Sequence, residues 1–477
     1  MDLNEEGNAS KFIDPFMTDI FNYEEDDLQI LHFTSLKDKN ASQFVKQQKK
    51  QDVQQALSGT TESESEKTNQ DFSSYFPERN KDSKSNVGKP VYVCSIAYLK
   101  YADLLPKVPK RVVCNDDDDD VIINFTFKRL VSPKIATYDD LRRHHIEDYL
   151  ELLKSTDDDN ESDVYDEYGL GYDCPVLEST YEYVKLMAGA TLTAAQHLVD
   201  KTTQVAINWG GGWHHAKRGE ASGFCYVNDI VLGILHLRQV YDKILYVDLD
   251  LHHGDGVEEA FANTSKVMTV SFHLYEPGFF PGSGSLSDIG FGKGKYYSVN
   301  VPLRSGIKNQ RYIEVFLRIM NKVHLKFKPD AIVCQCGADC LTGDPMLGFN
   351  VTSSALGTCI QYLLSWKVPI LFLGGGGYHM ANTARCWTYL TSVILGTRLD
   401  SSIPDNHYFM CYKPGFELEI TPGNRPDKNN NEYIDQVIKS VSGDGDEWEK
   451  GDLSSAVGLL MDGDELGKKE TFVQQWV

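Results

Sequence analysis

Short runs rich in β-branched and aromatic residues alternate along this chain with longer stretches of helical periodicity, and no other feature constrains the fold as much. The runs are Val91-Tyr92-Val93-Cys94, Val205-Ala206-Ile207, Ile244-Leu245-Tyr246-Val247, Val267-Met268-Thr269-Val270, Ala331-Ile332-Val333-Cys334 and Ile370-Leu371-Phe372-Leu373. Each has the length and apolar continuity of a buried strand. Thr180 to Val199, Asn228 to Val240, Gln310 to Phe327 and Ser353 to Trp366 read as helices. Strands alternating with helices connect by right-handed crossovers, so the expected class is α/β, a single large domain with a mainly parallel central sheet flanked by helices.

The texture differs at both ends. Residues 1–89 are rich in Ser, Asn, Gln, Lys, Asp and Glu, a composition that cannot offset the entropy of ordering, and are expected to be a flexible extension. Within it Phe12, Ile13, Phe16, Met17, Ile20, Phe21 and Tyr23 cluster among acids, either as a short partner-binding helix or as an apolar stretch without a partner. The folded unit is expected over 90–442 and an acidic tail over 443–477. The runs Asp116 to Asp120 and Asp157 to Glu161 read as solvated loops, since adjacent like charges repel.

The chain is 41% hydrophobic and 24% charged, enough to bury a substantial core. Its net charge of −22 argues against non-specific nucleic-acid binding, which needs clustered Lys and Arg, and favours a basic partner. The first thirty residues lack the cationic start and apolar stretch of a secretory signal, and no membrane span is expected. The 10 cysteines are too sparse for a disulfide scaffold and read as reduced thiols of the cytosol or nucleus. Cys334, Cys336 and Cys340 lack C-x-x-C spacing and read as buried thiols rather than a second metal site.

Ligands of α/β sheets bind beyond the carboxyl ends of the strands. There the sequence places Asp248-Leu249-Asp250-Leu251-His252-His253-Gly254-Asp255-Gly256, Gly337-Ala338-Asp339, Gly374-Gly375-Gly376-Gly377-Tyr378 and Gly210-Gly211-Gly212-Trp213-His214-His215. If the strand stays extended through Leu251, Asp248, Asp250 and His252 share one side. Asp250 and His252 with Asp339 then make a two-carboxylate, one-imidazole set that suits a catalytic zinc or ferrous ion better than a closed structural zinc. Asp248 and Asp255 can each orient one of His214 and His215, giving an acid and base pair to activate water. No Lys-Ser or Lys-Thr follows the glycines, so a phosphate cradle is disfavoured. A close-approach loop presenting Tyr378 to a developing oxyanion fits better. Phe224 and Phe280 are either walls of a slot for an alkyl chain or ordinary core.

These ordered motifs, with Asn382-Thr383-Ala384-Arg385-Cys386-Trp387, closely resemble the class I zinc-dependent histone deacetylases. Pro277-Gly278-Phe279-Phe280-Pro281 and Asp344-Pro345-Met346 point within them to the histone deacetylase 8 type. The resemblance implies the arginase/deacetylase-like fold and zinc (or iron) on Asp250, His252 and Asp339. It also implies His215 as general base with His214 as electrostatic or acid partner, Asp255 and Asp248 behind them, and Tyr378 on the oxyanion. Phe224, Phe280 and Met346 would line an acyl-lysine tunnel, Gly223 would lie against the lysine amide, Asp173 would accept substrate backbone N–H groups, and Arg111 would line an internal acetate channel. Structural potassium ions are implied at Asp248, Asp250, His252, Ser271 and Phe272, and at Phe261, Thr264, Val267 and Tyr297.

The function so implied is hydrolysis of the acetyl amide of N6-acetyl-lysine in histone tails and other proteins of the nucleus or cytoplasm, with partners recruited by the tails. Two departures stand out: Val112-Val113-Cys114-Asn115 and the aspartates follow Arg111, where the family has an amphipathic helix, and His379 replaces a small polar residue. A small-molecule deacylase acting on polyamines would use the same site but exclude peptides, whereas Asp173 suits gripping a peptide backbone. A catalytically silent scaffold would have lost a ligand or Tyr378, and none is lost.

Overall fold

The computed structural model describes residues 88–94, 129–155, 163–171, 173–176, 180–406 and 408–442. The expected tails lie outside the described residues apart from Gly88 and Lys89, as do Arg111 and the runs Asp116 to Asp120 and Asp157 to Glu161.

The strands are β1 (Val91–Val93), β2 (Leu130–Val131), β3 (Val205–Asn208), β4 (Ile244–Asp248), β5 (Val267–Leu274), β6 (Ser298–Leu303), β7 (Ala331–Gln335) and β8 (Ile370–Leu373). They form one 8-stranded sheet in the order β2-β1-β3-β8-β7-β4-β5-β6, and every pairing is parallel. This is the arginase/deacetylase type of α/β architecture. Every residue of β4, β5, β7 and β8 is buried, because helices cover the sheet, and that is why these strands read as unbroken apolar runs. β2 and β6 carried weaker signals. β2 has only 2 residues, and β6 contains Pro302, tolerated because β6 is an edge strand.

The expected helices form as Thr180–Val199, Asp229–Leu237, Asn309–Phe327 and Ser353–Ser365. Asn228 starts the second by accepting the Val231 N–H, which satisfies one of its orphan amides. Ala190, Ala194 and Leu198 of the first helix and Ile230, Val231 and Ile234 of the second pack with Tyr246, Val333 and Leu371 of the sheet. Each large apolar side chain buried there contributes about 1.5–3 kcal/mol. Cys334, Cys336 and Cys340 are buried free thiols within this framework. No helix among the described residues is long and apolar enough to cross a membrane.

Candidate active site

Adjacent strands deliver the chemistry. β3, β8, β7 and β4 are neighbours in the sheet, and Asn208, Leu373, Gln335 and Asp248 form one row across them. The segments bearing His214 and His215, Tyr378, Asp339, and Asp250 with His252 all begin just beyond that row. The expected clustering at the carboxyl ends of the strands is therefore what the chain builds.

Asp250, His252 and Asp339 are buried, and their ligand atoms lie within 4.8 Å of one another. His252 Nδ1 is 2.9 Å from Asp339 Oδ2 and 3.3 Å from Asp250 Oδ1. The route differs from the expected one, since β4 ends at Asp248 instead of running through Leu251. Beyond it, carboxylates take over the ladder's amides. Asp250 N–H donates to Asp248 Oδ1 at 3.1 Å, Leu251 N–H to Asp339 Oδ1 at 2.9 Å, and His252 N–H to Asp250 Oδ1 at 3.0 Å.

The residues fit a divalent cation. Two carboxylates and one imidazole converge from separate segments, and a side chain is excluded from the backbone around them. A Cβ on Gly376 would meet Asp339 Oδ2 at 2.1 Å, and one on Gly337 would meet Asp250 Oδ2 at 2.0 Å. Burial works to lower the His252 pKa, yet hydrogen bonds to Asp250 and Asp339 lift it to about 10. The pocket thus demands positive charge, which a metal ion supplies in the proton's place. Burial and the Asp250 carboxylate push Asp339 up, whereas Asp250, despite burial, is held well below the usual range by His214 and His252.

Beside this group stand the expected dyads. His214 Nδ1–H donates to Asp248 Oδ2 at 2.8 Å and His215 Nδ1–H to Asp255 Oδ1 at 2.7 Å; a carboxylate only accepts, which fixes each tautomer. The two rings lie 4.0 Å apart and differ electrostatically. Burial opposes charge on His214, but the Asp248 and Asp250 carboxylates raise its pKa to about 9. Burial and the neighbouring His214 charge lower His215 to about 4, against the pull of Asp255.

His214, His215, Gly223, Phe224, Asp250 and Tyr378 line one cavity. Phe224 meets Tyr378 edge-on at 5.9 Å, and Phe280 meets His215 edge-on at 4.9 Å. Phe224 is 8% exposed and Phe280 39%, so Phe224 lies inside and Phe280 at the rim. Asp173 accepts the Gly223 N–H at 3.1 Å, which puts its carboxylate beside the same segment. Of the residues implied for potassium, Ser271 pairs with Asp248 across β4 and β5, and Phe272 follows it. Phe261, Thr264, Val267 and Tyr297 gather where a helix ends and β5 begins: Thr264 N–H donates to the Phe261 carbonyl at 3.0 Å, and Thr269 N–H to that of Tyr297 at 2.9 Å. The departure at His379 has a local use, because its Nδ1 caps the helix Met380–Leu395 by accepting the Asn382 N–H at 3.2 Å.

Several supporting residues escaped the sequence reading. Gln335 donates Nε2–H to Asp250 Oδ2 at 2.7 Å and accepts the Gly337 N–H at 2.7 Å. Asp229 accepts the amides of Gly212 and Trp213 and the Thr191 hydroxyl, fixing the turn that leads to His214. Phe279 stacks on the His252 ring at 5.0 Å and 7°. A polar residue inside an apolar strand was the available signal for Gln335, since buried polar groups need partners. Asp229 resembled an ordinary first-turn helix acid.

Residues 110–394 match the family model described as the histone deacetylase domain. The chain is 50% identical over 357 residues to histone deacetylase 8 of Xenopus tropicalis, covering 74% of this chain and 97% of the relative. Against histone deacetylase 8 of Danio rerio it is 50% identical over 364 residues, covering 76% and 96%. Histone deacetylase 1 of Homo sapiens is 45% identical over 338 residues, covering 70% and 69%. With this geometry and these similarities together, the chain belongs to the histone deacetylase family of enzymes, in its class I branch.

Proposed function

We propose that this protein hydrolyses the acetyl amide of N6-acetyl-lysine in histones and other proteins, with a divalent ion, Zn2+ or Fe2+, on Asp250, His252 and Asp339. One observation carries the reading: a buried two-carboxylate, one-imidazole group and two His–Asp dyads share a cavity with Tyr378. A metal held there supplies Lewis-acid polarisation of the scissile carbonyl and a lowered pKa for the attacking water.

The side chains supply the rest. His215, neutral because burial and His214 hold its pKa to about 4, presents an unprotonated Nε2 because its proton sits on Nδ1, hydrogen-bonded to Asp255. It accepts the proton of the attacking water and returns it to the departing lysine amine. His214, kept cationic by Asp248 and Asp250, offsets the negative charge that develops nearby. The Tyr378 phenol donates a hydrogen bond to the oxyanion.

Phe224, Phe280 and Met346 wall the acyl-lysine chain and Asp173 grips the substrate backbone. Gly223 leaves room for the amide, since a Cβ there would meet His215 Cδ2 at 2.5 Å and Phe280 Cε1 at 3.0 Å. Arg111, which lies outside the described residues, is proposed on the acetate path implied by the resemblance. The potassium sites named above, action in the nucleus or cytoplasm, and partners engaged by the 1–89 and 443–477 segments complete the proposal. The test is free acetate released from an acetyl-lysine peptide and from an acetylated polyamine by the metal-loaded protein. Peptide turnover, falling roughly 10²–10³-fold in Tyr378→Phe with metal content unchanged, supports the reading; turnover of the polyamine alone, or an undiminished Tyr378→Phe, contradicts it.

A further inference from the structure

Asp344 takes no direct part in the chemistry above, yet its carboxylate lies at a junction of the site. It is 2% exposed, and backbone amides hold it: Oδ1 accepts the Met346 N–H at 2.9 Å, while Oδ2 accepts the Tyr378 N–H at 2.8 Å and the His379 N–H at 3.2 Å. Burial and the charge of Asp339 push this carboxyl up to about 7, so the anion is kept at a cost that the amides only partly offset.

The Oδ1 bond alone is a common local turn, in which an aspartate accepts an amide two residues on. Oδ2 does something different. It reaches across to a loop 34 residues away, whose backbone the glycines leave free. Gly375 and Gly377 have φ of +148° and +138°, conformations with a large ordering entropy. Before Tyr378 this loop is tied by the Gly376 N–H to Asp250 Oδ2 at 2.7 Å. After it, the His379 ring caps a helix. Asp344 holds the amides of Tyr378 and His379 themselves.

We infer that Asp344 is a positioning residue: it sets the Tyr378 phenol at the reacting carbonyl and ties that placement to the backbone of Met346, the residue proposed above as a wall of the substrate tunnel. The inference rests on the oxyanion role proposed for Tyr378. The backbone amides of Met346 and Tyr378 share one anchor. A misplacement of about 1 Å costs on the order of 10²-fold in rate, and one lost carboxylate is enough to allow that.

The test is a double-mutant cycle on the metal-loaded full chain with D344N, D344A, Y378F and the combined variants, reading kcat, KM, metal content and thermal unfolding. D344N keeps the shape but sets an amide N–H against a backbone N–H on one side, so it remains informative where D344A fails to fold. Expected for D344N is a kcat roughly 10- to 100-fold lower, with KM within about 3-fold and metal content unchanged. In the Y378F background the same substitution should cost no more than about 2-fold, because the residue it positions is already gone. An equal kcat loss in both backgrounds, or a loss explained by metal content, would overturn the inference. The underlying reading fails differently: Y378F alone would then retain full kcat, and the positioning role falls with it.

Discussion

Gly376→Ala tests the metal geometry through sterics alone. The Gly376 backbone does not need a glycine, as its φ is outside the left-handed range that Gly375 and Gly377 occupy. What forbids a side chain is proximity, with Asp339 Oδ2 at 2.1 Å, Asp339 Cγ at 2.5 Å and Asp250 Oδ2 at 3.0 Å from the added carbon. Ordinary contact begins near 3.4 Å, so the Asp339 carboxylate or the loop must yield by roughly 1 Å. Metal–ligand distances tolerate only about 0.2 Å. The shift therefore exceeds the tolerance several-fold, and metal affinity should fall by at least about 100-fold, the upper end of what outer-shell changes cost. Overpacking should also lower stability by about 1–3 kcal/mol. Competition against a chelator of known affinity gives the first quantity and denaturant unfolding of the metal-free protein the second. Gly415→Ala is the control, since nothing lies within 4 Å of its added carbon. A folded Gly376→Ala protein with metal affinity within about 3-fold of the parent would refute the reasoning.

Three further outcomes follow from the same geometry. Asp248→Asn removes the larger of the two carboxylate influences that oppose burial at His214, so the His214 pKa falls and its cationic fraction shrinks, and kcat should drop by roughly 10²-fold, measured as acetate release. Gln335→Met keeps the volume but strands the Gly337 N–H and removes one of the two hydrogen bonds to Asp250 Oδ2, leaving that from Gly376; unfolding should show a loss of about 1–3 kcal/mol, with weaker metal binding. Metal uptake should release about one proton per chain near pH 7.5, because His252 with a pKa of about 10 is protonated in the metal-free protein and must be neutral to bind. Its affinity for metal accordingly rises with pH up to about 10; an indicator-dye titration showing no proton release contradicts this.

The strands and the Asp250, His252 and Asp339 group were legible because one physical cause writes both. Strands covered on two faces must be apolar throughout, so Ile244 to Val247 and Ile370 to Leu373 stand out, and the polar residues just after them mark where the sheet meets solvent and ligand. Less visible was how Asp250 and His252 come to share a side. Periodicity offered an extended strand, whereas the chain uses the carboxylates of Asp248, Asp250 and Asp339 to take up the amides beyond it. Asp229 and Asp344 act on backbone amides distant in sequence, and Gln335 on the distant Asp250 carboxylate, and no local pattern announces such partners. Pro302 hid β6, because a proline counts against a strand until its edge position is known.

The most direct test of the central claim is a titration of the metal-free protein with Zn2+ or Fe2+ while acetate release from an acetyl-lysine peptide is followed. Turnover should rise to a plateau at about one ion per chain, as expected of a single catalytic site with an open position, and should be lost in Asp250→Ala at the same metal concentration. Turnover that persists after chelation, or in Asp250→Ala, would contradict a metal-dependent deacetylase built on Asp250, His252 and Asp339.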